Sequence, residues 1–375
     1  MHTKFILFYL TFVAVFALQT LIIKKRLINK IELGDKTKKF LSLILYITFF
    51  GASLYLLARN YPLVPNWLYF LLSIPMGMIF LTFTITILHE IISFFLNKSP
   101  FSDNRRNFFK KSLDIGAVSL VFGTNAKAIQ NATTIETQIV DVKIKDLKQP
   151  YTITQISDIH IGGLIGVDSI KSLVEKVNAL CGDIIVITGD LVDTKLTSAK
   201  DALDELKHLK AKYGVYFIVG NHEYFHGVQP IMDYVKFLGI TVLENEHVYI
   251  GKPYNGFYLC GVYDRYGETY EAYKPDIKKA LKNKKDEPTV LLAHQPKYVE
   301  EIGDTKGIDL VLCGHTHGGQ IFPFNLLVRL QQPYIKGLHQ HNEFTQVYVN
   351  KGTGFWGPPM RLGASSEITL LRLTA

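Results

Sequence analysis

Cysteine is scarce in this chain. The three present, Cys181, Cys260 and Cys313, are far apart and form no CxxC pair. That argues against a disulfide framework and against a structural thiolate zinc site. Acidic residues are scarce at the front. Residues 1–134 hold 15 Lys/Arg against 5 Asp/Glu, and the remainder holds 26 against 28. The net charge of +8 therefore belongs to the N-terminal part. A local excess of this kind argues against a nucleic-acid partner and fits loop charges that orient membrane helices. No internal repeat or low-complexity tract is present. A length of 375 residues predicts two or three domains.

Long apolar runs are what the front does have. Residues 5–23, 40–58 and 67–88 each reach the roughly 20 residues needed to cross a bilayer. Pro62, Pro65 and Pro75 sit near the start of the third run, where helix entry or a kink tolerates them. Lys24, Lys25, Arg26, Lys30, Lys36, Lys38 and Lys39 crowd the first connection, and only Arg59 lies in the second. Lys98, Arg105, Arg106, Lys110 and Lys111 follow the third. The positive-inside rule puts the first and third connections in the cytoplasm and the N-terminus outside. A fourth run, 112–124, is short and interrupted by Asp114. If it crosses, the rest of the chain is extracytoplasmic. If it is re-entrant or interfacial, the rest stays cytoplasmic. The basic flank, with a twin-arginine-like Arg105-Arg106, favours the crossing. An integral membrane protein is the expectation. Residues 125–134, small and polar, read as a linker.

From residue 135 onward the pattern alternates strand and helix. Expected strands cover 140–144, 151–156, 184–187, 215–219, 240–243, 257–262, 290–292, 310–312, 344–349 and 367–373. Helices are expected over 167–180, 199–213 and 228–238. The class is α/β, with two sheets packed face to face and helices outside.

Five strand ends carry polar signatures in order: Asp158-Ile-His160, Gly189-Asp190-Leu-Val-Asp193, Gly220-Asn221-His222-Glu223, His294, and Gly314-His315-Thr-His317. Singly, each reads as a turn or a loop start. Together they offer carboxylates, imidazoles and one amide without thiolate, which suits borderline-hard divalent ions such as Mn²⁺, Fe or Zn²⁺, with Mg²⁺ an alternative. Asp190 follows a glycine and could be shared by two ions. One ion would then take Asp158, His160, Asp190 and His317, and the other Asp190, Asn221, His294 and His315. In an extended segment His315 and His317 would point to one face. Two ions ~3.5–4 Å apart can hold a bridging hydroxide and clamp a phosphoryl group. His222 is left over to protonate the leaving oxygen, and Asp193 to orient it.

These motifs resemble the calcineurin-like metallophosphoesterase superfamily over roughly residues 152–373. Gly318-Gly319-Gln320 and the tail Gly352-Thr-Gly354…Pro359-Met-Arg361-Leu…Glu367-Ile368 further resemble its bacterial membrane-associated branch, which includes the YaeI and YkuE phosphodiesterases. The resemblance implies a four-layer α/β/β/α sandwich over residues 135–375, behind an all-α transmembrane region, with a dinuclear site and the ligand roles above. It leads to an expected hydrolysis of a phosphodiester or pyrophosphate, with a lipid-linked substrate open. The alternative is a membrane sensor or scaffold whose phosphoesterase domain only binds ligand.

Arg361 is a candidate phosphate contact and His226 a candidate substrate contact. His2, His89, His208, His247, His339 and His341 lack a strand-end setting and read as non-ligands. Glu90, in the third run, reads as lying near the cytoplasmic interface. Residues 321–328 and the Arg329-Leu-Gln-Gln-Pro-Tyr334 that follows are apolar beside the metal motif. They are either a core strand and helix or a greasy lip that touches lipid.

Overall fold

The computed structural model describes residues 2–59 and 64–375. Pro62 lies outside them. The chain divides into two compact units, one made of residues up to 131 with 357–362, the other of 132–356 with 363–375.

The first unit holds four helices: α1 (His2–Ile23), α2 (Asp35–Arg59), α3 (Asn66–Lys98) and α4 (Asp103–Thr133). A π-helical turn, Lys24–Ile28, extends α1. Three stretches, Ile6–Ile28, Asp35–Ala58 and Asn66–Lys98, are long and apolar enough to span a membrane. Their large apolar side chains point outward: Leu18, Phe40, Ile47, Phe50 and Phe95 are all exposed. Bulk water would penalise that arrangement and hydrocarbon does not. Polar groups turn inward instead. The buried Asp114 stands 2.8 Å from His89 Nε2 and accepts the Glu32 N–H at 2.6 Å. His89 is thus no idle histidine, since it ties α3 to α4. Glu90 pairs with Lys30 at 2.9 Å and Arg26 at 3.4 Å. Pro65 precedes α3 and Pro75 lies inside it. At Gly51 a Cβ would come within 2.8 Å of Pro75, so a small residue lets α2 and α3 approach closely.

Two sequence expectations change here. Residues 112–124 are not an element of their own, because they lie inside the longer helix α4. Residues 125–133, read as a linker, are the last turns of the same helix. Ala128 and Ala132 are buried there, and no proline or glycine interrupts. The alanines' helix propensity, with one face packed, outweighs the polar look of the stretch.

The second unit holds twelve strands. They are β1 (Ile135–Lys143), β2 (Tyr151–Ile156), β3 (Ile184–Thr188), β4 (Val215–Ile218), β5 (Thr241–Val242), β6 (Glu246–Ile250), β7 (Phe257–Gly261), β8 (Thr289–Leu292), β9 (Leu310–Cys313), β10 (Gly337–Gln340), β11 (Gln346–Val349) and β12 (Ser366–Thr374). One six-stranded sheet runs β1-β12-β2-β3-β4-β5, and the other β10-β11-β9-β8-β7-β6. Within the first, β2, β3, β4 and β5 are mutually parallel, and β12 is antiparallel to β2. Within the second, β7, β8, β9 and β11 are parallel, with antiparallel β6 and β10 at the edges.

Side-chain alternation builds the layers. On β3, Ile184 and Val186 join Leu259, Leu292 and Leu312 of the second sheet in a core between the sheets. Ile185 and Ile187 face the other way, against α5 (Val167–Ala179), α6 (Leu196–Asp204) and later helices through Leu173, Leu203 and Val235. A third cluster covers the outer face of the second sheet with Tyr298 and Val299. Each fully buried side chain of this kind contributes about 1.5–3 kcal/mol. The result is the expected four-layer α/β/β/α sandwich.

Edge strands β6 and β10 escape the sequence pattern, because their alternation is weak and they are only half covered. The helix expected over 199–213 also ends early. Asn178 holds its far end by donating to the His208 carbonyl and accepting from Lys210 N–H, both at 2.8 Å.

Candidate metal centre

Five parallel strands end at one rim. Asp158 follows β2, Asp190 follows β3, and Asn221 opens α7 (Asn221–His226) after β4. His294 and His315 follow β8 and β9. Ligands gather outside the carboxyl ends of such strands as a general rule. Here the residues meet in groups whose donor atoms lie within 4.8 Å of one another: Asp158 with His160 and His317, all buried, and buried Asp190 and His294 with half-buried His315.

The first group is close. His160 Nε2 stands 3.0 Å from His317 Nε2, which is 3.5 Å from Asp158 Oδ1. In the second, His294 Nε2 is 3.3 Å from Asp190 Oδ2 and 3.3 Å from Asn221 Oδ1. His294 Nδ1 donates to the Thr188 carbonyl at 2.7 Å, which turns Nε2 into the site. Asp190 joins the groups. Its Oδ1 accepts the His222 N–H at 2.9 Å, and its Oδ2 lies 4.0 Å from His160, 3.9 Å from His222 and 3.3 Å from His294.

The electrostatics suit cations. Burial, aided by His222, lowers His160 to about 3. Burial, aided by His294, does the same to His315. Both rings are therefore neutral, with lone pairs to give. Burial also raises Asp158 to about 6. At Asp190 burial works upward, but His294 and His222 hold the carboxyl well below its ordinary range. The counterpart holds for His294. Burial works downward, and Asp190 raises it well above the usual imidazole value. Buried carboxylates and imidazoles converging without thiolate fit a pair of divalent ions. The His/Asp clusters are compatible with a dinuclear site.

The backbone here is strained. Asp158 (φ 50°), His160 (56°), Asp190 (50°), His315 (70°) and His317 (50°) all occupy the left-handed region. Each non-glycine residue held so costs about 1–3 kcal/mol, and such strain clusters at functional sites. It also corrects the picture of an extended His315–His317 segment. With positive φ at both, the segment turns, and the two rings enter different groups. His315 packs on His294 with ring centroids 5.1 Å apart, and His317 stacks on His160 at 5.0 Å.

Beside these groups stands a dyad. His222 Nδ1 lies 2.8 Å from Asp193 Oδ1, and His226 Nε2 reaches the same oxygen at 3.5 Å. Burial opposes charging His222, but Asp190 and Asp193 outweigh it and raise its pKa. His226 is thus brought to the site. Arg361 belongs to the helical unit and is fully buried, with its N–H bonded to the Ala128 carbonyl.

Two features went unread in the sequence. Glu223 is fully buried and accepts four backbone N–H groups, from Asp190, Leu191, Val192 and Gly220. It clamps the Asp190 turn to the Asn221 turn. Its place in Gly-Asn-His-Glu was visible, but its target, a turn in another segment, was not. Phe225 and Trp356 flank His222, with ring centroids at 5.2 and 6.2 Å. Gln320 holds the Trp356 backbone with two hydrogen bonds, 2.8 and 3.0 Å.

Comparison with known proteins agrees with this geometry. The calcineurin-like phosphoesterase family model matches residues 151–319. An uncharacterized metallophosphoesterase of Helicobacter pylori is 37% identical, over 90% of this chain and 91% of that one. Another from Campylobacter jejuni is 34% identical over 98% of both. A zebrafish transmembrane protein with a metallophosphoesterase domain is 35% identical, over 69% of this chain and 61% of its own. The chain belongs to the calcineurin-like phosphoesterase family.

Proposed function

We propose that this protein is a membrane-anchored, metal-dependent phosphoesterase of the YaeI/YkuE-like bacterial branch, cleaving a phosphodiester or pyrophosphate bond in a lipid-linked substrate. One observation carries the reading: a single oxygen, Asp190 Oδ2, faces imidazoles from both ligand groups. One cation is assigned to Asp158, His160, Asp190 and His317, and the other to Asp190, Asn221, His294 and His315. Manganese is the first choice, with Fe, Zn and Mg as alternatives. When bound, such a pair polarises phosphoryl oxygens and acidifies a water.

The chain's own residues do the rest. His222 gives a proton to the leaving oxygen, and its raised pKa keeps that proton available. Asp193 holds the ring in orientation through Nδ1. Glu223 fixes the two turns that carry Asp190 and Asn221. His226 contacts substrate beside the dyad. The catalytic unit faces the extracytoplasmic side of the inner membrane.

Asp190→Ala is the test, run with a chromogenic aryl phosphodiester and metal analysis of purified protein. Loss of both bound metal and turnover is expected. Normal turnover by the variant would refute the assignment. Wild-type protein loaded with Mn²⁺ that cleaves no diester, monoester or pyrophosphate would favour a scaffold instead.

A further inference from the structure

The segment that follows the ligand turn does not pack inward. Phe322, Phe324, Leu326, Leu327 and Leu330 are all exposed, Leu330 at 81%. Only Ile321 among the large apolar residues of 321–330 is buried. The core reading of this stretch therefore fails. Water-exposed apolar side chains in a continuous run mark a surface that something else covers.

The lip is not a loose loop. The short helix Asn325–Val328 lies against the ligand turn, and a Cβ at Gly319 (φ 81°) would overlap the Asn325 backbone. Gln320, the residue between, is bonded to Trp356, which flanks His222. A rigid apolar projection thus begins where the His315–His317 turn ends. Arg329 and Lys336, both exposed, border it with positive charge.

The occupant follows from the chain itself. Three helices of the same polypeptide are long and apolar enough to cross a bilayer. Because the catalytic unit is tethered to these helices, a lipid-binding face on it would meet the bilayer at high effective concentration. Exposed aromatic and leucine side chains with basic neighbours match the acyl region and the anionic headgroups respectively. We infer that residues 321–330 are a lip inserted into the interfacial region of the bilayer that carries the protein.

The test uses full-length protein in vesicles of phosphatidylcholine and phosphatidylglycerol, with and without brominated acyl chains. The chain has two tryptophans, Trp67 and Trp356. Trp67→Phe and Trp356→Phe provide a silent background for single probes. Leu330→Trp and, separately, Leu326→Trp should show blue-shifted emission and strong quenching by the brominated lipid. Phe237→Trp, at an exposed site on α8 (Val228–Phe237), should stay red-shifted and unquenched by it. Water-exposed emission from both lip probes would overturn the inference. So would blue-shifted emission that brominated lipid leaves unquenched, because a second copy or a protein partner would then be the cover. The readout is depth, so it stands or falls independently of the catalytic proposal.

Discussion

His222 and Asp193 are joined at 2.8 Å through Nδ1, while Nε2 of the same ring looks toward Asp190 Oδ2 at 3.9 Å. One imidazole thus has an anchored side and a working side. Asp193→Asn should retain bound metal and lower turnover about 10–100-fold, the usual effect of losing an orienting carboxylate. The loss should be greater for an alkyl leaving group than for p-nitrophenolate, which leaves without a proton. Steady-state kinetics on the two substrates, with metal analysis, checks this. Equal losses would remove His222 from proton delivery.

Glu223→Gln replaces an acceptor of four N–H groups with a side chain that is itself half donor. At least one buried N–H loses its partner, at a cost of about 1–3 kcal/mol. Thermal unfolding should show a lower melting temperature, and calorimetry a weaker metal affinity. Glu223→Ala should be worse on both counts.

Asp264 offers a pH test at a buried carboxyl outside the proposed ligand set, beside His294 and Asp190. It is fully buried, one carboxyl oxygen has no partner, and burial raises it to about 6 from 3.8. The folded state then holds this proton more tightly than the unfolded state. The sign follows: its contribution to stability is greatest below pH 4 and is lost as pH rises through 6. The shift corresponds to a loss on the order of 2–3 kcal/mol. Asp264→Asn should abolish that component. The difference between wild-type and variant melting temperatures, measured in chelator from pH 4 to 7.5, should change across this window. A flat difference would show that Asp264 is ionised throughout.

A reporter fused after Ala375 decides the side of the catalytic unit. An export-dependent phosphatase should be active there, and a fluorescent protein that matures only in the cytoplasm should stay dark. Cytoplasmic fluorescence would make α4 an interfacial helix and place catalysis inside.

Much of the fold was legible in the residues. β2 was read to both its ends, because Tyr151–Ile156 is an apolar run bounded by turn signals, and β3, β4, β8 and β9 were each within about a residue. Three apolar runs were equally plain. The α4 extension was not legible, since burial of Ala128 and Ala132 depends on neighbours. Nor were β6 and β10, whose pairing is with strands and not with their own pattern.

The order of Asp158, His160, Asp190, Asn221, His222, His294, His315 and His317 along the chain was enough to identify the candidate donors, because residue chemistry and strand-end position are local properties. Only the tertiary structure decided that Asp190 turns one oxygen toward imidazoles of two ligand groups, that His315 and His317 part company, that Glu223 clamps two turns, and that Phe322, Phe324, Leu326, Leu327 and Leu330 are exposed. Each of these depends on positive φ angles, or on hydrogen bonds and burial between segments dozens of residues apart. Those are set by packing, which no single stretch of sequence contains.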